Sequence, residues 1–294
     1  MVLGVEVIAV FGPTGSGKTS VAERLADLLA TEVVSADAMQ AYRGLPILTN
    51  QPERPARLVG VWSLAHEGSV GEYERLAHDA IDELVTARGS AVIAGGTGLY
   101  LRAALADLSL PPRVSPGVRE RWDALYERDP DAAHAELERA DPAVATLVHR
   151  NDRRRVVRAL ELAETGGSLA PAQNRLWAGE TRRPTLVVGL DLARETLRRR
   201  IERRTASMFE RGVVDEVREA LARPISRTAE KALGLLELAE LSEVDARAAI
   251  VRRTTRYAAY QLKWMRRIPG VVIIDADRSP EEVARDVLDM ARAR

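Results

Sequence analysis

Residues 12–19, "GPTGSGKT", have the types and spacing of a loop that cradles phosphate, G-x-x-x-x-G-K-T. Its glycines let backbone N–H groups face an anion, and a helix opening at Lys18 adds its N-terminal dipole. Gly12, Pro13, Thr14, Gly15, Ser16, Gly17, Lys18 and Thr19 together form the candidate phosphate site. Lys18 has the reach for the outer phosphates, and the Thr19 hydroxyl suits a Mg²⁺ ion. The loop predicts a bound polyphosphate but leaves open what is done with it.

Asp37, in "VVSADAMQAYRG", follows a short apolar run and is the first candidate for that chemistry. A carboxylate there has three available roles: a Mg²⁺ ligand, a general base for an attacking nucleophile, or the N-cap of a helix begun at Ala38 and Met39. A second glycine-rich turn, "GGTGLY" at 95–100, offers the Thr97 hydroxyl. The apolar run before it ends without Asp or Glu, so it supplies no magnesium carboxylate of the kind phosphoryl transfer uses. Asp275 and Asp277 end "VVIIDAD", either as such carboxylates or as a capped strand end.

Basic residues are grouped. Arg247, Arg252, Arg253, Arg256, Lys263, Arg266 and Arg267 lie in 246–274 with no acidic residue among them. That stretch also carries Tyr257, Tyr260 and Trp264, and basic residues mixed with aromatics suit RNA contact. In "HRNDRRRVVRALEL", 149–162, helical spacing puts Arg154, Arg155 and Arg158 on one face, where they could grip backbone phosphates. Val156, Val157 and Leu160 fall on the other, core-facing side. The same residues also suit ordinary solvated helix faces. Balanced totals, 43 basic and 43 acidic residues, hide this segregation. His66, His78, His134 and His149 are scattered and read as structural.

Elements must hold these residues in place. "VEVIAVFG" (5–12), "TEVVSAD" (31–37), "SAVIAGGTG" (90–98), "TLVVGLD" (185–191) and "GVVIIDAD" (270–277) read as strands. Helical periodicity covers 18–30 and 72–89, with Gly89 as a stop. Strands alternating with helices predict an α/β fold, a parallel sheet flanked by helices. Residues 113–183 show no strand-like run, only helices punctuated by Pro111–Pro112, two "DP" pairs and "TGGS". They predict a helical insertion domain, with 1–112 and 184–294 as the core. The absence of cysteine excludes disulfides and thiolate catalysis. No apolar run approaches a membrane span, and no leader-like segment precedes the loop, so a cytoplasmic location is expected.

The set of motifs resembles the bacterial tRNA dimethylallyltransferases, also called isopentenyltransferases. The matching stretches are "GPTGSGKT", "SADAMQAYRG", "GGTGLY", "HRNDRRRVVRALE", "RIERRTASMFERG" (200–212), "KALG" (231–234) and "TTRYAAYQLKWMRR" (254–267). The resemblance implies a P-loop NTPase-like core and transfer of a prenyl group from dimethylallyl diphosphate. The acceptor would be the exocyclic amine of the adenine beside the tRNA anticodon. It implies diphosphate on the loop with Mg²⁺ at Thr19, and Thr14, Asp37 and Arg204 as catalytic residues, Asp37 being the base. It implies tRNA contacts at Asp37, Ala38, Met39, Gln40, Thr97, Arg119, Arg154, Arg155, Val156, Val157 and Arg158, with the insertion domain meeting the anticodon stem-loop. No protein partner is implied. The chain departs from the family pattern at Gln51 (usually lysine), in 53–70 (usually histidine-rich), at Leu235 (often tyrosine) and at Tyr260 (arginine expected). Two other functions fit parts of the pattern: an ATP-dependent small-molecule or nucleoside kinase, and an RNA-binding relative without transferase activity.

Overall fold

The structure is a computed structural model that describes residues 3–108, 114–169 and 180–294. The chain divides into two compact units, Met1–Leu108 with Gly179–Arg294, and Ser109–Ala178. The Pro111–Pro112 punctuation lies outside the described residues.

Five parallel strands form the sheet of the larger unit. They are β1 (Val7–Phe11), β2 (Val33–Ser35), β3 (Ala91–Gly95), β4 (Thr185–Asp191) and β5 (Val272–Asp275), in the order β2-β3-β1-β4-β5. Register pairs Val7 with both Ala91 and Thr185, so the three central strands start level with one another. Both faces of β1 and β3 are buried, as parallel strands under helices require. On one face Ile8, Val10, Val92, Ala94, Leu186 and Val188 alternate with a period of two. They pack against α1 (Lys18–Leu29) and the last helix, Pro280–Arg292. Helix α2 (Val70–Arg88) begins earlier than periodicity alone places it, because the Ser69 hydroxyl accepts from the Glu72 amide and caps it. It ends at Gly89, which takes a left-handed conformation. Helix α3 (Gly98–Leu105) starts at the second glycine turn. Strand β2 is shorter than its apolar run: the Ala36 amide makes the last bond to β3, at the Ala94 carbonyl at 2.7 Å, and the chain then enters a turn.

The smaller unit contains α4 (Pro116–Arg128), α5 (Pro130–Ala140), α6 (Pro142–Ala145) and α7 (Arg153–Glu164). Each "DP" pair is a helix start: Asp129 and Asp141 cap with their carboxylates, and proline follows at the first helical position. Tyr126, Ala133, Leu137, Val144, Val156, Val157 and Leu160 form its interior.

Beyond β4 the larger unit continues with α8 (Arg194–Glu210), α9 (Val213–Leu221), α10 (Leu235–Glu240), α11 (Glu243–Met265) and α12 (Pro280–Arg292). Helix α11 buries Ala246, Ile250, Thr254, Ala258, Gln261 and Met265, a stripe with helical spacing. Two of those six are polar. Among the described residues no helix is long and apolar enough to cross a membrane.

Candidate active site

Because the strands are parallel, the loop after β1, the turn after β2 and the turn after β3 emerge at one edge of the sheet. The strand order puts β3 between β1 and β2, so the Gly96–Thr97 turn lies between the phosphate loop and Asp37. Ligands bind at this edge in open α/β sheets.

The loop runs from β1 into α1, with Gly15 at φ 85° and Gly17 at φ 87°. These left-handed values favour glycine and turn the chain into the helix. The amides of the first turn of α1 have no intrahelical acceptor and face the open end. Ser16 Oγ is buried with no hydrogen-bond partner, an orphan that an anion oxygen would satisfy.

Long-range contacts set the loop's shape. Gln261, buried on α11, accepts from the Thr14 amide at 2.8 Å and donates to the Gly96 carbonyl at 2.8 Å. Gly96 has no space for a side chain: a Cβ there would stand 2.3 Å from Gln261 Nε2 and 2.9 Å from the Gly12 carbonyl oxygen. From α8, Arg204 donates to Thr14 Oγ1 at 2.5 Å. One turn earlier, Arg200 donates to the Ser16 carbonyl at 3.4 Å and to Asp277 at 3.2 Å. Asp275 accepts from the Asp277 amide at 3.0 Å. The carboxylates ending β5 thus serve as a capped turn and a partner for Arg200.

Lys18, Thr19, Ser35, Asp37 and Gln40 line one cleft. Burial lowers the Lys18 ammonium to about 8; Asp37 opposes this and Arg204 adds to it. Burial also lowers Arg204, against the pull of Asp37. The two cations and Asp37 therefore share one electrostatic neighbourhood.

Asp37 accepts from the Met39 amide at 3.0 Å. No helix follows: 38–41 is a turn, so the carboxylate organises an Asx-type turn in place of a helix N-cap. Gln40 accepts from Ser35 Oγ at 2.9 Å and donates to the Asn50 carbonyl at 2.8 Å. Gln51, where the family pattern has lysine, donates to the carbonyls of Gln40 at 3.1 Å and Tyr42 at 2.7 Å. It therefore holds the Asp37 turn. Tyr73 donates to the Ser35 carbonyl at 2.9 Å, and burial raises its phenol. Thr97 Oγ1 lies 3.5 Å from the Tyr257 hydroxyl. Burial pushes Tyr257 up to about 12, with the Asp37 carboxylate adding to it.

The larger unit thus brings Thr14, Lys18, Thr19, Asp37, Gln40, Thr97 and Arg204 to one edge. Arg119, Arg154, Arg155 and Arg158 belong to the helical unit. There Arg158 pairs with the buried Glu161 at 2.8 Å, and Arg119 approaches Asp123 and Glu161 at 3.8 and 3.6 Å. Val156 and Val157 lie in that unit's interior, so their side chains are out of reach of a ligand. Gln261 escaped sequence reasoning, although a glutamine on the buried stripe of α11 was the available signal. Glu74, His78 and Asp107 bring ligand atoms within 4.8 Å of one another, a grouping that could hold a metal ion. His78 is thus the histidine with metal-capable neighbours, although Leu108 N already donates to Glu74 and Arg182 approaches Asp107 at 3.4 Å.

A parallel sheet carrying a phosphate loop between its central strand and a helix defines the P-loop α/β class. The model of the IPP transferase family matches residues 40–268, and the isopentenyl transferase model matches 5–58. The tRNA dimethylallyltransferase of Streptomyces coelicolor is 40% identical over 279 residues, 90% of this chain and 88% of that one. That of Streptomyces avermitilis is 41% identical over the same shares. Among solved structures, the tRNA isopentenylpyrophosphate transferase of Bacillus halodurans superposes with a TM-score of 0.69 at 30% identity, covering 97% of this chain and 95% of that one. A eukaryotic dimethylallyltransferase acting on tRNA gives 0.75 at 26% identity, covering 92% and 74%. The chain belongs to the tRNA dimethylallyltransferase family, the IPP transferases.

Proposed function

We propose that the chain transfers the dimethylallyl group of dimethylallyl diphosphate to the exocyclic amine of an adenine beside the tRNA anticodon. One observation carries the reading: Thr14, Lys18, Asp37 and Arg204, from three distant segments, meet at the edge where the orphaned Ser16 hydroxyl awaits an anion.

The loop amides, Ser16 and Lys18 bind the diphosphate. The adenine, turned out of its stack, presents its amine to Asp37. Nitrogen attacks the first carbon of the prenyl group, a C–N bond forms, and the C–O bond to diphosphate breaks. The diphosphate leaves with the bonding electrons, and Asp37 takes the amine proton. Lys18 and Arg204 balance the charge that develops on the leaving group. Arg204 also fixes the Thr14 side chain by donating to its hydroxyl oxygen, which leaves the Thr14 hydroxyl proton free to donate to the leaving oxygen.

Mg²⁺ fits the Thr19 hydroxyl, a hard oxygen donor that lines the same cleft as Lys18. When bound, it would neutralise diphosphate charge. The helical unit contributes tRNA contacts through Arg154, whose guanidinium has no carboxylate partner among the described residues.

Incubation with dimethylallyl diphosphate, Mg²⁺ and unmodified tRNA, followed by nucleoside mass spectrometry, tests the proposal. A prenylated adenosine is the expected product. No added mass, or tight binding of ATP in place of the prenyl donor, would overturn it.

A further inference from the structure

Opposite the buried stripe of α11 lies an exposed one: Arg252, Arg256, Tyr260 and Lys263, three or four residues apart. Arg266 and Arg267 follow in the turn beyond it. Among the described residues none of these cations has a carboxylate partner. The stripe is a track of uncompensated positive charge, and one aromatic ring stands in its middle.

That ring is not core. Tyr260 is 55% exposed, the one aromatic among the exposed large hydrophobic side chains of the described residues. It ends a ladder that starts at the active edge. Tyr257 meets Thr97 at 3.5 Å, and its ring lies near-parallel to that of Tyr260, 24° apart with centroids at 6.5 Å. Trp264 braces Tyr260 edge-on from the other side at 6.3 Å. The ladder therefore runs outward from the neighbourhood of Asp37 and leaves one rung with an open face.

An anionic partner with planar groups matches this surface. Phosphates answer the cations, and any base offers a π-face to tyrosine. A protein partner would need apolar area that a track of cations does not provide. We propose that Tyr260 is a base-stacking residue. Its ring takes a base of the single-stranded anticodon loop next to the adenine that reaches Asp37, while Arg256 and Lys263 take flanking phosphates. The inference rests on the tRNA reading and assigns a role to a position where the family pattern has arginine.

The test uses the full chain and an anticodon stem-loop RNA carrying 2-aminopurine one nucleotide from the target adenine. Binding is followed by anisotropy and stacking by quenching of the 2-aminopurine. Tyr260→Ala should weaken binding by about fivefold or more and relieve the quench. Tyr260→Phe should keep both, since stacking needs the ring and not the hydroxyl. Arg256→Ala should lower the salt slope by about 0.7, and Tyr260→Ala should leave it unchanged. Wild-type affinity and quench in Tyr260→Ala, or equal losses in Tyr260→Phe, would overturn the assignment. A wild-type chain that binds no stem-loop would overturn the tRNA reading itself. Binding and prenylation by wild type, with no effect at Tyr260, would overturn only the stacking.

Discussion

Helices α7 and α11 are both rich in arginine, yet their charges have different fates. On α7 and its neighbours the cations are answered from within the unit. Arg153 meets Asp123 at 2.8 Å and Glu127 at 2.6 Å, Arg155 approaches Asp152, and Arg158 holds Glu161. Arg154 is the member of that run with no described partner. On α11, Arg253 meets Glu237, while Arg252, Arg256 and Lys263 meet no carboxylate among the described residues. Lys18 and Arg204 at the phosphate loop are a third case: both are desolvated beside a single shared carboxylate, Asp37. The paired cations are neutralised within their own unit, and the outer cations of α11 are open to solvent.

The largest expected effect separates chemistry from this charge comparison. Asp37→Ala should reduce prenyl transfer by about 10²–10⁴-fold, the share of a general base. The salt slope of tRNA binding should stay at the wild-type value; a changed slope would make Asp37 part of the binding surface. Next, the combined Arg252→Ala, Arg256→Ala and Lys263→Ala variant should lower the salt slope by about 2. Its affinity at low salt should fall roughly 10–100-fold, at about 0.5–1 kcal/mol per cation. If the slope holds, the contrast between the helices fails.

The third effect concerns Lys18. Its ammonium titrates at about 8 in the free protein. Bound diphosphate favours the charged form, so affinity for inorganic diphosphate should fall about tenfold between pH 7 and 9. The ligand-free protein should move the other way. Because the folded Lys18 gives up its proton before the unfolded one, stability rises with pH between about 8 and 10.5. Titration calorimetry and thermal melts across that range check both signs, and affinity that is flat with pH would remove Lys18 from the anion site.

The smallest effects on binding belong to α7. Arg155→Ala and Arg158→Ala should each change tRNA affinity by less than about threefold, because both cations are engaged. Arg158→Ala should instead lower stability by about 1–3 kcal/mol, since it leaves the buried Glu161 short of its partner. Glu161→Gln sharpens the comparison, because freeing Arg119 and Arg158 should raise the salt slope of tRNA binding. A drop in slope would show that the pairs, and not the free cations, meet the RNA.

What the sequence determined by itself is local. Glycine spacing specifies the phosphate loop, alternating and continuous apolar runs mark the strands, and each Asp–Pro pair announces a helix. These features depend on neighbours a few residues away, and the family resemblance rests on the same short motifs. Strand ends shortened by a few residues, from 5–12 to Val7–Phe11 and from 270–277 to Val272–Asp275, and side chains set the boundaries at Ser69 and Asp37. Tertiary structure alone decided which distant groups meet. Gln261 reaches Thr14 across 247 residues and Arg204 reaches it across 190. It also decided which arginines are neutralised, because an ion pair depends on carboxylates that other helices deliver. Two runs of basic residues that read alike in sequence differ for that reason: α7 is packed among acidic side chains, and the outer face of α11 is not.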